Sequence, residues 1–243
     1  KDGAVAGPRT LEHLVDVVVT FEGDRHSVLR LVRATKNRYG PTDEVGCFEL
    51  TESGIRGLPD PSGLFLTHTG QLVPGTAVTV TLEGRRALAA EVQGLVAPTA
   101  LANPRRTTSG LDSARLAMVL AVLARRTRLP VLDVDVYASS VGGVRLTEPA
   151  CDLAVALAIA SAVIDLPLPV GTVAIGEVGL AGEIRSVVGL PRRLSEAARL
   201  GFVRALVPIG TCGPIPNGLT VVEVDTVAQA LNECGLTATP DAS

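Results

Sequence analysis

The sequence predicts an α/β (α+β) protein: a two-layer sandwich of mixed sheet and helices, preceded by a small antiparallel β meander. Three observations predict it. Apolar residues make up 47% of the 243 positions but aromatics only 2%, with no Trp, so Val, Leu, Ile and Ala build the core, as in strands and buried helices. Runs rich in β-branched residues crowd the first 58 positions. From residue 76 onward, strand and helix patterns interleave, with two hairpins among them.

LVDVVVTFEG (14–23) and SVLRLVRATKNRYG (27–40) read as strands joined by a short charged turn, and EVGCFELTESGIRGL (44–58) adds another strand with a turn. Three such strands form a thin meander whose exposed edges something else must cover. PDPSGLFLTHTGQLVPG (59–75), with three prolines and three glycines, reads as a linker with one helical turn. TAVTVTLEGRRALAAEVQGLVAP (76–98) reads as a hairpin turning at Glu83-Gly84. In LDSARLAMVLAVLARRT (111–127), apolar residues at 116, 119, 120 and 123 give a helical period, with Asp112 as N-cap. LDVDVYASS is a strand. TEPACDLAVALAIASAVI is a helix capped by Thr147, with Pro149 in its first turn and Glu148 and Asp152 near the positive dipole end. VAIGEVGLAGEIRSV is a hairpin turning at Leu180-Ala181-Gly182, and GLPRRLSEAARLG is a helix ended by Gly201. RALVP and LTVVEV are strands, and TVAQALNECG closes with a short helix.

Composition excludes several function classes. The apolar runs are far shorter than a membrane span and no signal peptide opens the chain, so the expected location is cytoplasmic, with no membrane partner. The chain starts at Lys1 without an initiator methionine and reads as a fragment or a processed product. Cys47, Cys151, Cys212 and Cys234 are scattered, without a C-x-x-C pair, so free buried thiols are expected and no metal site. His13, His26 and His68 stand apart from one another, which argues against histidine-based chemistry. Net charge is −3, but the charges are segregated. Residues 25–40 hold Arg25, Arg30, Arg33, Lys36 and Arg38 with no acid, and residues 105–128 hold six arginines against Asp112 alone. The last 24 residues carry Glu223, Asp225, Glu233 and Asp241 and no base. Segregation of this kind can hold a polyanion despite an acidic total.

SVGGVRLTEPACDLAVALAIAS (140–161) reads as a strand end, a glycine turn and a helix apolar on nearly every side. Some peptidases keep a nucleophilic serine at such a helix start. Together with GEVGLAGEIRSVVGLPRRLSEAARLGFVRALVP and KNRYG, this stretch resembles the bacterial RadA family of DNA repair and recombination proteins, over nearly the whole chain. The resemblance implies that residues 1–58 are the closing part of a RecA-type ATPase core, 59–75 a linker, and 76–243 a Lon-protease-like domain. Family members also carry a zinc finger and a phosphate-binding loop. No G-x-x-x-x-G-K-[ST] occurs here, so ATP, magnesium and zinc are expected only in the full-length protein.

Lon peptidases use a Ser–Lys dyad, in which an amine of lowered pKa takes the serine proton. Alignment with their nucleophile motif puts Ala150 at the serine position and Pro191 at the lysine position, so neither half of the dyad remains. Cys151 projects about 100° away from the nucleophile position on a helix. Ser139 and Ser140 have no lysine to work with, because Lys1 and Lys36 are the only ones in the chain. A peptidase scaffold without peptidase chemistry is expected.

The resemblance further implies a homo-oligomer, a hexameric ring, in which Lys36 and Arg38 reach a neighbouring subunit's nucleotide, with Tyr39 where many relatives have Phe. Cations delivered across a subunit boundary would stabilise charge on the transferring phosphoryl group. Arg105, Arg106, Arg125, Arg126 and Arg128 bracket the first helix of the Lon-like part, and Arg192 and Arg193 start another. These seven read either as helix-end and solubility charges or as a sequence-independent phosphate track for DNA. The expected function is DNA repair and homologous recombination, the processing of branched intermediates by a ring-forming DNA-dependent ATPase alongside RecA. Two alternatives stay open: an oligomerisation module without DNA contact, and a peptidase with a relocated nucleophile.

Overall fold

The computed structural model describes residues 12–23, 28–66, 72–100, 102–210 and 213–237. Lys1, Arg25, His26, His68, Cys212 and Asp241 lie outside them. The chain divides into two compact units, Lys1–Pro61 with Glu83–Arg86, and Ser62–Leu82 with Ala87–Ser243.

The first unit is an antiparallel meander of β1 (Val17–Glu22), β2 (Leu29–Asn37), β3 (Val45–Thr51) and β4 (Gly54–Gly57), in sequential order. The 44–58 run is two strands rather than one. Its turn uses Gly54 at φ +125, a backbone that L side chains rarely adopt, and Thr51 Oγ1 donates to the Gly54 carbonyl at 2.8 Å. Strand alternation sends Leu29, Val45 and Cys47 to a buried face and leaves Val19, Phe21 and Ile55 exposed on the other. On the buried face, Arg33 pairs with Glu83 at 2.6 Å and Glu22 at 3.3 Å.

The second unit is built on β5 (Thr76–Glu83) and β6 (Arg86–Pro98), except their tip Glu83–Arg86, which belongs to the first unit, and on β7 (Arg106–Ser109), β8 (Val134–Ser140), β9 (Thr172–Ala174), β12 (Arg204–Pro208) and β13 (Thr220–Val224). They form one sheet in the order β13-β12-β9-β5-β6-β8-β7. It is mixed: β5, β9, β12 and β13 pair in parallel, as do β7 and β8, while β6 and β8 are antiparallel. A two-stranded ribbon, β10 (Glu177–Val178) and β11 (Ile184–Arg185), stands apart from it. The helices are α1 (Ser113–Val122), α2 (Asp152–Ile164), α3 (Leu190–Arg199) and α4 (Val227–Glu233).

The expected two-layer arrangement is corrected: the sheet carries helices on both faces. Ala89 packs in a cluster with Leu190, Leu194 and Ala197 of α3. Five residues along β6, a Cβ on Gly94 would meet Ile159 and Ala158 of α2. An odd separation on a strand means opposite faces. Helix α2 also packs against α1 and α4, which places all three on its side. Ten consecutive residues of α2, from Asp152 to Ser161, are buried, so its sequence is apolar all round rather than striped.

Local signals held unevenly. Asp112 accepts from the Arg115 N–H at 2.9 Å and caps α1 as expected. Thr147 does not cap α2. A tight turn, Pro149–Cys151, comes first, and the orphan N–H of Leu153 finds the Gly176 carbonyl at 3.1 Å instead of a side chain. The β5–β6 hairpin turns at Gly84-Arg85, one residue later than read, because Gly84 takes φ +59. Ser62–Leu66 are not linker: Phe65 is fully buried, and its carbonyl accepts from the Glu91 N–H at 2.9 Å.

Leu157 is fully buried in the middle of α2. Leu157→Ala should cost about 2–5 kcal/mol, read as a lower urea midpoint with an unchanged slope.

Candidate functional site

Strand β5 pairs with β9 at Val78 and Val173. Further along, its Val80 carbonyl and Leu82 N–H are met by side chains rather than a strand. Arg193, on α3, donates to the Val80 carbonyl at 2.5 Å and to the Val188 carbonyl at 3.0 Å. The same guanidinium grips Glu148 with both terminal nitrogens, at 2.6 and 2.7 Å, and Glu148 accepts from the Leu82 N–H at 2.9 Å. Arg193 is 1% exposed. Beside it, Arg115 holds Asp152 with two nitrogens, Nε at 2.8 Å, and Asp152 also accepts from the Val178 N–H at 3.2 Å.

The two carboxylates titrate in opposite directions. Burial works to raise the Glu148 pKa, but hydrogen bonds from Arg193 and Thr81, the Arg193 charge and the Leu82 N–H together hold it below the ordinary value. Burial dominates at Asp152 and leaves it raised despite the Arg115 contacts.

This network occupies the region where the peptidase resemblance puts a dyad. Ala150 lies buried in the turn before α2, and Pro191 is exposed at the start of α3. Cys151 is buried, and desolvation pushes its thiol up to about 12, so no thiolate nucleophile forms near neutral pH. The Ser140 hydroxyl donates to the Val144 carbonyl at 2.5 Å. Ser139 faces a cleft of about 620 Å³ whose lining, Val73–Thr76 with parts of β6, β7 and β8, contains neither lysine nor histidine. Nothing there can take a serine proton in the manner of the dyad. The β5 edge is also closed by the Arg193–Glu148 pair, so an extended peptide cannot add to it. Among the described residues no group of three or more His, Cys, Asp and Glu could hold a metal.

The seven candidate arginines separate into different environments. Arg193 is corrected out of the phosphate track: it is interior and its charge is spent on Glu148. Arg106 is half-buried and donates to the carbonyls of Arg105, Val131, Leu132 and Val134, so its guanidinium fastens the loop before β8. Arg105, Arg125, Arg126 and Arg128 are exposed. They lie toward the same end of the unit, because β7 and β8 are parallel and α1 between them runs back toward their starts, and the 128–134 loop is tied to Arg106. Arg125 and Arg126 sit in a widened π-type turn, Leu123–Thr127, which Arg128 ends at φ 60. The stem of Arg126 runs beside the β10–β11 turn, 3.0 Å from where Gly182 would carry a Cβ. Arg192 is exposed on α3, on the other face of the sheet.

In the first unit, Lys36 and Arg38 are brought together, but both turn back on residues 12–16, just ahead of β1. Lys36 Nζ donates to the carbonyls of Glu12 at 2.6 Å and Val15 at 2.7 Å. Arg38 Nη1 meets Asp16 Oδ1 at 3.0 Å, and the Tyr39 hydroxyl donates to Asp16 Oδ2 at 3.1 Å. Sequence reasoning missed Glu148, Asp152 and Asp16 as ion-pair partners. In each case the partner lies 22 to 45 residues away, so local spacing carries no sign of the pairing.

A "DNA repair protein RadA" from Mycolicibacterium smegmatis is 60% identical over 231 residues, which is 95% of this chain and 49% of the relative. The chain belongs to the RadA family. RadA proteins of Streptococcus pyogenes serotype M1 and Pseudomonas aeruginosa are each 48% identical, over 96% of this chain and 52% and 51% of the relatives. The chain thus spans about half the length of the curated RadA relatives it matches. A family profile described as subunit ChlI of Mg-chelatase matches residues 140–211, within the second unit and around the Glu148–Arg193 pair.

Breaking one side of that pair leaves a buried charge unmatched, so Arg193→Met should destabilise the fold by about 3–5 kcal/mol in urea titrations. Adding Glu148→Gln to it should recover much of the loss. Because the folded pKa of Glu148 is lowered, its contribution is present above the unfolded glutamate value and lost as pH falls through the folded one. Acid unfolding below about pH 4 should therefore flatten in Glu148→Gln. Asp152, whose folded pKa is raised, has the opposite sign and gives no such loss.

Proposed function

We propose that this chain serves DNA repair and homologous recombination as the ring-forming, DNA-contacting part of a DNA-dependent ATPase. The observation that carries this reading is the set Arg105, Arg125, Arg126 and Arg128, exposed together at one end of the second unit. Arginine contacts phosphate without reading sequence, so DNA binding would be sequence-independent. Arg192 is a further candidate, on the other face. The second unit would be a Lon-like scaffold that has lost its dyad, and the first unit the end of a RecA-type core. Copies would assemble as a hexamer, so that Lys36 and Arg38 act on a neighbour's nucleotide and stabilise charge on its phosphates. ATP with magnesium, and a zinc finger, would belong to the longer protein. The work would lie in the cytoplasm, on branched intermediates made with RecA.

The test is duplex DNA binding by this chain at several salt concentrations, beside a variant with Arg105, Arg125, Arg126 and Arg128 changed to Ala. The expected result is affinity falling steeply with salt, with a slope shallower in the variant by about 0.9 for each phosphate it no longer neutralises. Hexamers by mass with no DNA binding at low salt would leave an assembly module alone.

A further inference from the structure

We propose that residues 12–16 gate Lys36 and Arg38, Asp16 holding Arg38 and the Glu12 and Val15 carbonyls holding Lys36, and keep the two cations from a polyphosphate until the segment is displaced. The inference rests on the reading of these two residues as nucleotide-facing cations, and adds a regulatory contact to it.

The geometry is that of a parked pair. The Asp16 carboxylate uses one oxygen on Arg38 Nη1 and the other on the Tyr39 hydroxyl. The Lys36 ammonium faces the carbonyls of Glu12 and Val15, just ahead of Asp16 in the chain. Five residues, 12 to 16, thus supply the acceptors for both cations. A polyphosphate approaching in this state meets carbonyl dipoles turned toward Lys36 and a carboxylate beside Arg38, so its attraction is largely offset before contact. Triphosphate binding requires both heads to exchange partners.

The contact is also light enough to open. Arg38 and Asp16 have side chains 63% and 47% exposed, and Tyr39 is 80% exposed. Exposed pairs of this kind are weak and screened by salt, whereas several negative oxygens on one ligand can engage both cations at once. Strands β1 and β2 shift register between Val18 and Val19, two residues past Asp16. The ladder beyond that irregularity need not change when the gate opens.

The experiment is calorimetric titration of inorganic tripolyphosphate into the 243-residue chain, wild type against Asp16→Asn. Asn keeps the shape and removes the charge. Asp16→Asn should bind roughly three- to tenfold tighter, through removal of one exposed ion pair and one repelling charge, with an unchanged thermal midpoint. Adding Lys36→Ala and Arg38→Ala should abolish the gain, while changing the four track arginines to Ala should leave it. Equal or weaker binding by Asp16→Asn, or a gain that survives removal of Lys36 and Arg38, overturns the gate. Failed DNA binding with the tripolyphosphate gain intact counts against the proposed function and not against the gate.

Discussion

The second unit depends on one interior ion pair. Arg193 and Glu148 come from segments 45 residues apart and meet where the pairing of β5 with β9 has ended. A carbonyl and an N–H left bare there would each cost free energy comparable to a missing hydrogen bond. The pair answers both with side chains, and the guanidinium is satisfied by the groups it ties together. Its net worth against a well-packed apolar pair is small by the general behaviour of buried ion pairs. What it provides is geometry: α3, the turn before α2 and the β5 edge are fixed to one another at a single point. The same contacts close the edge along which an extended chain could add. The unit is thereby braced by charges at a stretch of strand edge that is closed to any added chain.

Most of the fold was legible because its signals are local. Asp112 caps α1, Gly201 follows α3, and β-branched runs became strands within about three residues. The misses have separate causes. The second face of the sheet was invisible because α2, apolar all round, shows no stripe to say which side it covers. Thr147 failed as a cap because Pro149 forces a tight turn first. The hairpin tip moved one residue because only Gly84 accepts the left-handed backbone needed. Phe65 looked like part of a linker because its neighbours are Pro and Gly, yet one buried ring outweighs that composition.

The candidate site was legible in composition but not in role. Spacing showed seven arginines near two helices and could not say which had internal partners. Arg192 and Arg193 are adjacent in sequence and opposite in fate, one in water and one 1% exposed. Arg105 and Arg106 divide in the same way, because strand alternation sends neighbours to different sides. Partners for such residues come from distant segments, and nothing in a single sequence encodes that pairing.

The same distinction decides what net charge means here. A total of −3 is a sum over groups that mostly cancel in place: Arg193 with Glu148, Arg115 with Asp152, Arg33 with Glu83 and Glu22, Arg38 with Asp16. A polyanion responds to what is left over after those pairs are formed. In the second unit that remainder includes Arg105, Arg125 and Arg126 of the widened turn, and Arg128, which ends it. In the first unit, Lys36 and Arg38 are balanced by residues 12 to 16 and become available only on exchange. One region therefore presents its cations continuously and the other conditionally. On the proposed function, such an arrangement would let the chain hold one polyanion continuously and meet a second only on exchange.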